Sequence, residues 1–302
     1  KDLFLLDPDT AHLNHGSFGA VPIPVLEARR QVSERIERSP ERFYRHDLFP
    51  ALTDVRHQAA KFLNTDPDGL VLTANVTESV QVVLNSLNLQ PGDQIVFTDH
   101  TYVWVKAAIN RACREHGATA REVSLPVPPE PASMLAVLTE AVTERTALIV
   151  LDQITSASAL TLPVQAVCDR FGQAVPILID GAHAPGLIPE PVPAGAAFWT
   201  GNFHKWGFGA RTVAALTVAE PFRHKVRPLV ASAGSVENFP LSFSYQGTQD
   251  VSAFLTLPAA LQFPAEHLGL SFMELKDRNV TVLRDGLRLA GLSERPDTEI
   301  GR

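Results

Sequence analysis

Asp180-Gly181-Ala182-His183-Ala184-Pro185-Gly186, followed downstream by Gly201-Asn202-Phe203-His204-Lys205-Trp206, decides how this chain reads. The first stretch comes after Ile177, Leu178 and Ile179, so an apolar strand delivers an acid directly into a glycine turn. The second sets a lysine among Phe203, Trp206, Phe208 and glycines. Such a setting lowers the pKa of an amine and makes it nucleophilic. Each feature has a plain structural reading. An aspartate before glycine is a common turn residue, and a lysine beside aromatic rings often snorkels to solvent. Together, with His183 between them, the acid and the amine make a better clamp than a turn.

Working outward, short apolar runs alternate with amphipathic ones. Leu70 to Thr73, Gln94 to Thr98, Thr119 to Ser124, Ala147 to Leu151 and Val175 to Ile179 are predicted strands. Thr77 to Leu87, Val103 to Glu115, Ser133 to Val142 and Val164 to Phe171 are predicted helices. Ala196 to Trp199 and Val213 to Val218 are two further strands flanking the lysine loop. This alternation predicts an α/β fold with a mostly parallel sheet covered by helices on both faces. Ligands of such sheets collect at the carboxyl ends of strands, where Asp180 stands. Upstream, helices are predicted from Pro22 to Arg38 and from Ala51 to Leu63. They follow an arm, Ala11 to Gly19, too polar and glycine-rich for a helix. The expected organisation is an arm over 1–20, a large domain over 21–250 and the beginning of a smaller domain over 251–302.

The totals exclude several classes. With 302 residues, 45% apolar and 20% charged, the chain can bury a full core. A net charge of -7 without a basic run argues against nucleic-acid binding. No apolar run approaches the roughly 20 residues of a membrane span, and the Lys1-Asp2 start carries no signal-peptide pattern. Cys113 and Cys168 lie in helical segments and in no metal-ligand spacing, so no metal and a cytoplasmic location are expected.

An acid and a lysine so placed are what pyridoxal phosphate requires. The lysine forms a Schiff base with its aldehyde, and the carboxylate keeps its pyridine nitrogen protonated. Two other stretches fit that cofactor. Asn75-Val76-Thr77-Glu78-Ser79 follows a strand and opens a helix, whose N-terminal amides suit a phosphate, although Thr77 also reads as a plain N-cap. Thr98-Asp99-His100-Thr101-Tyr102 ends the next strand, and either Tyr102 or His100 can stack on a planar ring. No glycine-rich dinucleotide fingerprint is present.

These motifs, with Asn14-His15-Gly16-Ser17-Phe18-Gly19 and Ile154-Thr155-Ser156-Ala157, resemble the class V group of fold-type I pyridoxal-phosphate enzymes, and most of all its isopenicillin N epimerase-like members. The resemblance covers residues 11 to 260. It implies that Lys205 carries the cofactor, Asp180 pairs with the ring nitrogen and His183 approaches the ring hydroxyl. It also implies that Tyr102 or His100 stacks on the ring. The Val76 amide, Thr77, Asn202 and His204 would surround the phosphate, while Asn14, His15 and Ser156 would meet the substrate. Gly247-Thr248 matches a pair that completes the neighbouring subunit's phosphate site, which implies a homodimer. Family members draw a carboxylate-binding arginine from the small domain, and Thr298-Glu299-Ile300-Gly301-Arg302 shows no such motif.

The implied chemistry begins with proton removal at the Cα of an amino acid. It branches into epimerisation, β-elimination or transamination according to where acids and bases stand. Epimerisation leads, with a second acid from His15, His100 or Tyr102. A cysteine desulfurase or carbon-sulfur β-lyase, or a class V aminotransferase, is the alternative, and a catalytically silent regulatory protein of the same fold is the non-enzyme alternative.

Overall fold

The structure, a computed structural model, describes residues 2–231 and 239–291. Among these, seven strands form one sheet: β1 (Leu70–Thr73), β2 (Gln94–Thr98), β3 (Thr119–Val123), β4 (Thr146–Asp152), β5 (Ile177–Asp180), β6 (Phe198–Asn202) and β7 (Ala214–Val218). Their spatial order is β1-β7-β6-β5-β4-β2-β3. The β2–β3, β2–β4, β4–β5 and β5–β6 pairings are parallel, while β7 runs antiparallel to both β6 and β1. All strands but β7 therefore end at one edge, and the sheet is mostly parallel, as its apolar runs predict.

The helices in chain order are α1 (His15–Phe18), α2 (Ile23–Arg38), α3 (Pro40–Arg42), α4 (Leu48–Leu63), α5 (Val76–Ser86), α6 (Val103–His116), α7 (Pro131–Ala141), α8 (Val164–Phe171), α9 (Ser252–Leu255), α10 (Leu257–Phe263) and α11 (Phe272–Leu289). Side chains alternate across a strand, so the sheet has two apolar faces. Ile149, Leu151, Ile177, Ile179 and Trp199 pack against α4, α7 and α8. Leu148, Val150, Leu178, Phe198 and Leu216 pack against α5 and α6. Both faces being covered, β5 to β7 are buried at every position, which is why they read as continuous apolar runs. Trp199 is fully buried, and its indole N–H donates to Gln153 Oε1 at 2.9 Å, so the polar end of the ring is satisfied.

The structure corrects two local expectations. The arm contains one helical turn, α1, because Gly19 N–H donates to the His15 carbonyl at 2.8 Å and the His15 ring is held by the body of the protein. β6 runs on to Asn202, past the Trp199 limit expected from hydropathy. Its polar end, Thr200 and Asn202, is buried because Thr200 Oγ1 donates to the Ala215 carbonyl and Asn202 faces α5.

Candidate active site

The candidate residues gather where the strands end. Thr73 of β1 leads into α5, Thr98 of β2 into the Asp99–Tyr102 turn, Asp180 of β5 into His183, and Asn202 of β6 into Lys205. Asp180 is 2% exposed and accepts the Ala182 N–H at 2.9 Å. Burial raises its pKa, while that amide and the nearby Lys205 hold it down. Lys205 is mostly buried, and burial depresses its pKa, with Asp180 opposing the shift. Its Nζ lies 3.1 Å from His183 Nε2. Burial pushes His183 down to about 4, with Lys205 adding to the effect. The structure thus places the Lys205 amine beside a neutral imidazole and within the field of the buried Asp180 carboxylate.

The residues expected at the phosphate lie around the start of α5. Asn75 caps the helix by accepting the Glu78 N–H at 2.9 Å, and the Glu78 carboxylate reaches back to the Ala74 N–H at 2.7 Å. The Val76 N–H donates to Asn202 Oδ1 at 3.1 Å, stitching α5 to the end of β6. That amide, expected at the phosphate, is therefore engaged within the protein. The exposed Thr77 remains at the helix mouth with its amide and hydroxyl. His204 points Nδ1 at the Val213 carbonyl, 3.3 Å away, and burial lowers its pKa to about 4. Its Nε2 then carries no proton in the neutral ring, so contact with a phosphate oxygen requires that ring to take one up.

Of the ring-stacking candidates, Tyr102 is the N-cap residue of α6 and 36% exposed, whereas His100 Nδ1 is bonded to Ser158 Oγ at 2.9 Å. Among the substrate candidates, Asn14 and Ser156 are exposed. His15 is held fast, its Nε2 lying 3.0 Å from the Lys205 carbonyl and its Nδ1 facing the Ala20 N–H at 3.4 Å. A carbonyl only accepts and an N–H only donates, so His15 is neutral with its proton on Nε2. Burial lowers its pKa accordingly. The arm reaches this position through Gly19, whose φ of 69° and lack of a Cβ let it lie against the His204 carbonyl. Thr248 stands in an exposed stretch, its hydroxyl 3.2 Å from the Tyr245 hydroxyl, and among the described residues no hydrogen bond joins it to Asp180, His183 or Lys205. Among the described residues no group of histidine, cysteine and acidic side chains is arranged to hold a metal.

Sequence reasoning missed Asp152. It ends β4 directly beside Asp180 in register and is 2% exposed, with Oδ2 buried and unpartnered. Burial and the Asp180 charge raise its pKa to about 8. The signal was available, since two adjacent parallel strands both end in aspartate. Both folded pKa values lie above that of an unfolded aspartate. The pair therefore contributes stability below about pH 4 that is lost as pH rises through about 8. Asp152→Asn should raise the apoprotein's stability at pH 8 by on the order of 2 kcal/mol, a few degrees in Tm, and by little at pH 4.5. Thermal unfolding across that range checks it; a gap independent of pH would remove like-charge repulsion as the cause.

A doubly covered parallel sheet with a buried acid, a histidine and a depressed-pKa lysine at its carboxyl edge defines a pyridoxal-phosphate-dependent enzyme of fold type I. The profile of the aminotransferase class-V family matches residues 20–300, and the chain belongs to that family. Pyridoxal phosphate is its cofactor, and the donor set fits it: a buried carboxylate for a ring nitrogen, an amine for an aldehyde and a helix mouth for a phosphate. The isopenicillin N epimerase of Streptomyces clavuligerus is 28% identical over 298 residues, covering 92% of this chain and 74% of that protein. The putative L-cysteine desulfhydrase 2 of Oryza sativa subsp. japonica is 30% identical over 279 residues, covering 85% of this chain and 58% of that protein. Among solved structures, the cystine C-S lyase C-DES in complex with cysteine persulfide shares the fold. Its TM-score is 0.80 at 20% identity, over 94% of this chain and 81% of that one.

Proposed function

We propose that this enzyme removes the Cα proton of an amino acid, with Lys205 as the proton carrier. The observation that supports it most is the Lys205 amine, buried, 3.1 Å from a neutral histidine and attracted by buried Asp180. When bound, pyridoxal phosphate supplies the electron sink that acidifies Cα–H. Asp180 would hold a proton on its ring nitrogen, and His183 would face its ring oxygen. Tyr102 or His100 would cover its face. Thr77, Asn202 and His204 would enclose its phosphate, with Thr248 from a second copy of the chain completing the site in a homodimer. Asn14, His15 and Ser156 would line the substrate side. Deuterium wash-in at Cα of candidate amino acids tests the proposal, and no exchange with any of them would sink it.

Epimerisation, the activity named for the Streptomyces relative, needs a second acid on the face opposite Lys205. His15 and His100 are both committed to protein partners, which leaves Tyr102. Tyr102→Phe should then lower epimerisation by roughly 10²-fold or more while Cα deuterium exchange continues. Chiral analysis of the product alongside mass-spectrometric exchange separates the two, and equal losses would remove Tyr102 from that role. The engagement of both histidines also favours a second reading, one-base β-elimination from a cysteine-type substrate, detected as pyruvate and sulfide. Cys113 and Cys168 are buried with raised pKa values, Cys168 to about 12, so neither serves as a thiolate acceptor of sulfur. Their free, buried state fits a cytoplasmic location. No helix among the described residues is long and apolar enough to cross a membrane.

A further inference from the structure

We infer that Trp206 is a positioning residue that fixes the tautomer of His183, keeping its proton on Nε2 and Lys205 as a free amine. The Trp206 indole N–H points at His183 Nδ1, 3.3 Å away, while His183 Nε2 lies 3.1 Å from Lys205 Nζ. An indole N–H only donates. His183 Nδ1 must therefore present a lone pair, and the single proton of the neutral ring sits on Nε2. A protonated Nε2 cannot accept from an ammonium group, so Lys205 Nζ accepts from it and carries no third proton. The low pKa of His183 and the depressed pKa of Lys205 agree with this.

The geometry is built, not incidental. Gly16 of the arm packs on the pair, and a Cβ there would lie 2.7 Å from the Trp206 ring and 3.3 Å from His183 Nδ1. The His15 ring also lies near Trp206, with centroids 5.4 Å apart. The arm thus packs close to both Trp206 and His183. Other groups facing Lys205 are Asp180 and His204, with Arg211 acting on His204; none donates to His183 Nδ1. With cofactor bound, and on the reading that His183 faces its ring oxygen, the same tautomer presents a donor to that oxygen.

The test starts with the apoprotein labelled with ¹⁵N-histidine, where long-range ¹H–¹⁵N correlation reports each ring's tautomer. Loss of signals in His183→Gln assigns the residue. The expected result is a single Nε2–H tautomer for His183, converted to a mixture in Trp206→Phe, which keeps an aromatic ring and removes the donor. Gly16→Ala should give the same mixture by displacing the indole. Freed of the lock, His183 Nε2 can accept from a charged lysine, so the pH midpoint for pyridoxal-phosphate capture should rise by about one unit in Trp206→Phe. An Nδ1–H tautomer in the unaltered protein would overturn the inference, as would an unchanged tautomer in both variants. The apoprotein spectra are read without cofactor, so their failure is distinct from a failure of the cofactor-site roles.

Discussion

Lys205→Ala should reduce turnover by at least roughly 10³-fold and leave any bound pyridoxal phosphate unattached. The amine is the proposed nucleophile and base of the site, and among the described residues no other lysine acts on Asp180 or His183. Losing a positioned base alone costs about 10²- to 10⁴-fold, and the covalent link is lost with it. Folding should survive, because the change relieves a buried amine of desolvation, its largest perturbation. Three readouts check this: the visible spectrum before and after borohydride, Cα deuterium exchange, and thermal unfolding of the apoprotein. A variant that still exchanges Cα–H at the parent rate would show that another group moves the proton.

Asp180→Asn should separate stability from function. Asparagine keeps the shape of the side chain and can still accept the Ala182 N–H, but it has no charge with which to hold a proton on the cofactor's ring nitrogen. Removing one such electrostatic partner costs roughly 10²- to 10³-fold in rate. The apoprotein should meanwhile become more stable near pH 8, since a carboxylate whose folded pKa is raised by burial destabilises the fold once it ionises. Activity and pH-resolved unfolding, measured on one preparation, decide it. Loss of both would mean that Asp180 acts chiefly as a structural turn residue.

The alternation of Leu70–Thr73, Gln94–Thr98 and Ile177–Asp180 with amphipathic segments made the parallel sheet legible, because strands buried on both faces leave unbroken apolar runs. The grouping of Asp180, His183 and Lys205 was legible because each lies in or just after a short motif at the end of a strand. Side-chain pairing was not. Periodicity holds no trace of Asn202 taking the Val76 amide, of His15 binding the Lys205 carbonyl, or of Trp206 facing His183. Each of these joins residues from different elements, and only the closed fold brings them together. Asp152 lies between these cases: the sequence shows a strand-end acid, and only the register of β4 with β5 sets it beside Asp180.

The single reversed strand has a mechanical consequence. Because β7 runs back along β6, both ends of the lysine loop are sewn into the sheet: Asn202 pairs with Ala214, and Phe203 N–H donates to the Val213 carbonyl at 3.0 Å. Peeling that loop away means unzipping a strand in which every residue is buried. The Phe203 amide, where the loop leaves the sheet, should accordingly exchange with solvent only when the whole domain opens. Lys205 therefore sits on a loop anchored at both ends, whose ordering entropy is largely spent at folding rather than when a ligand arrives.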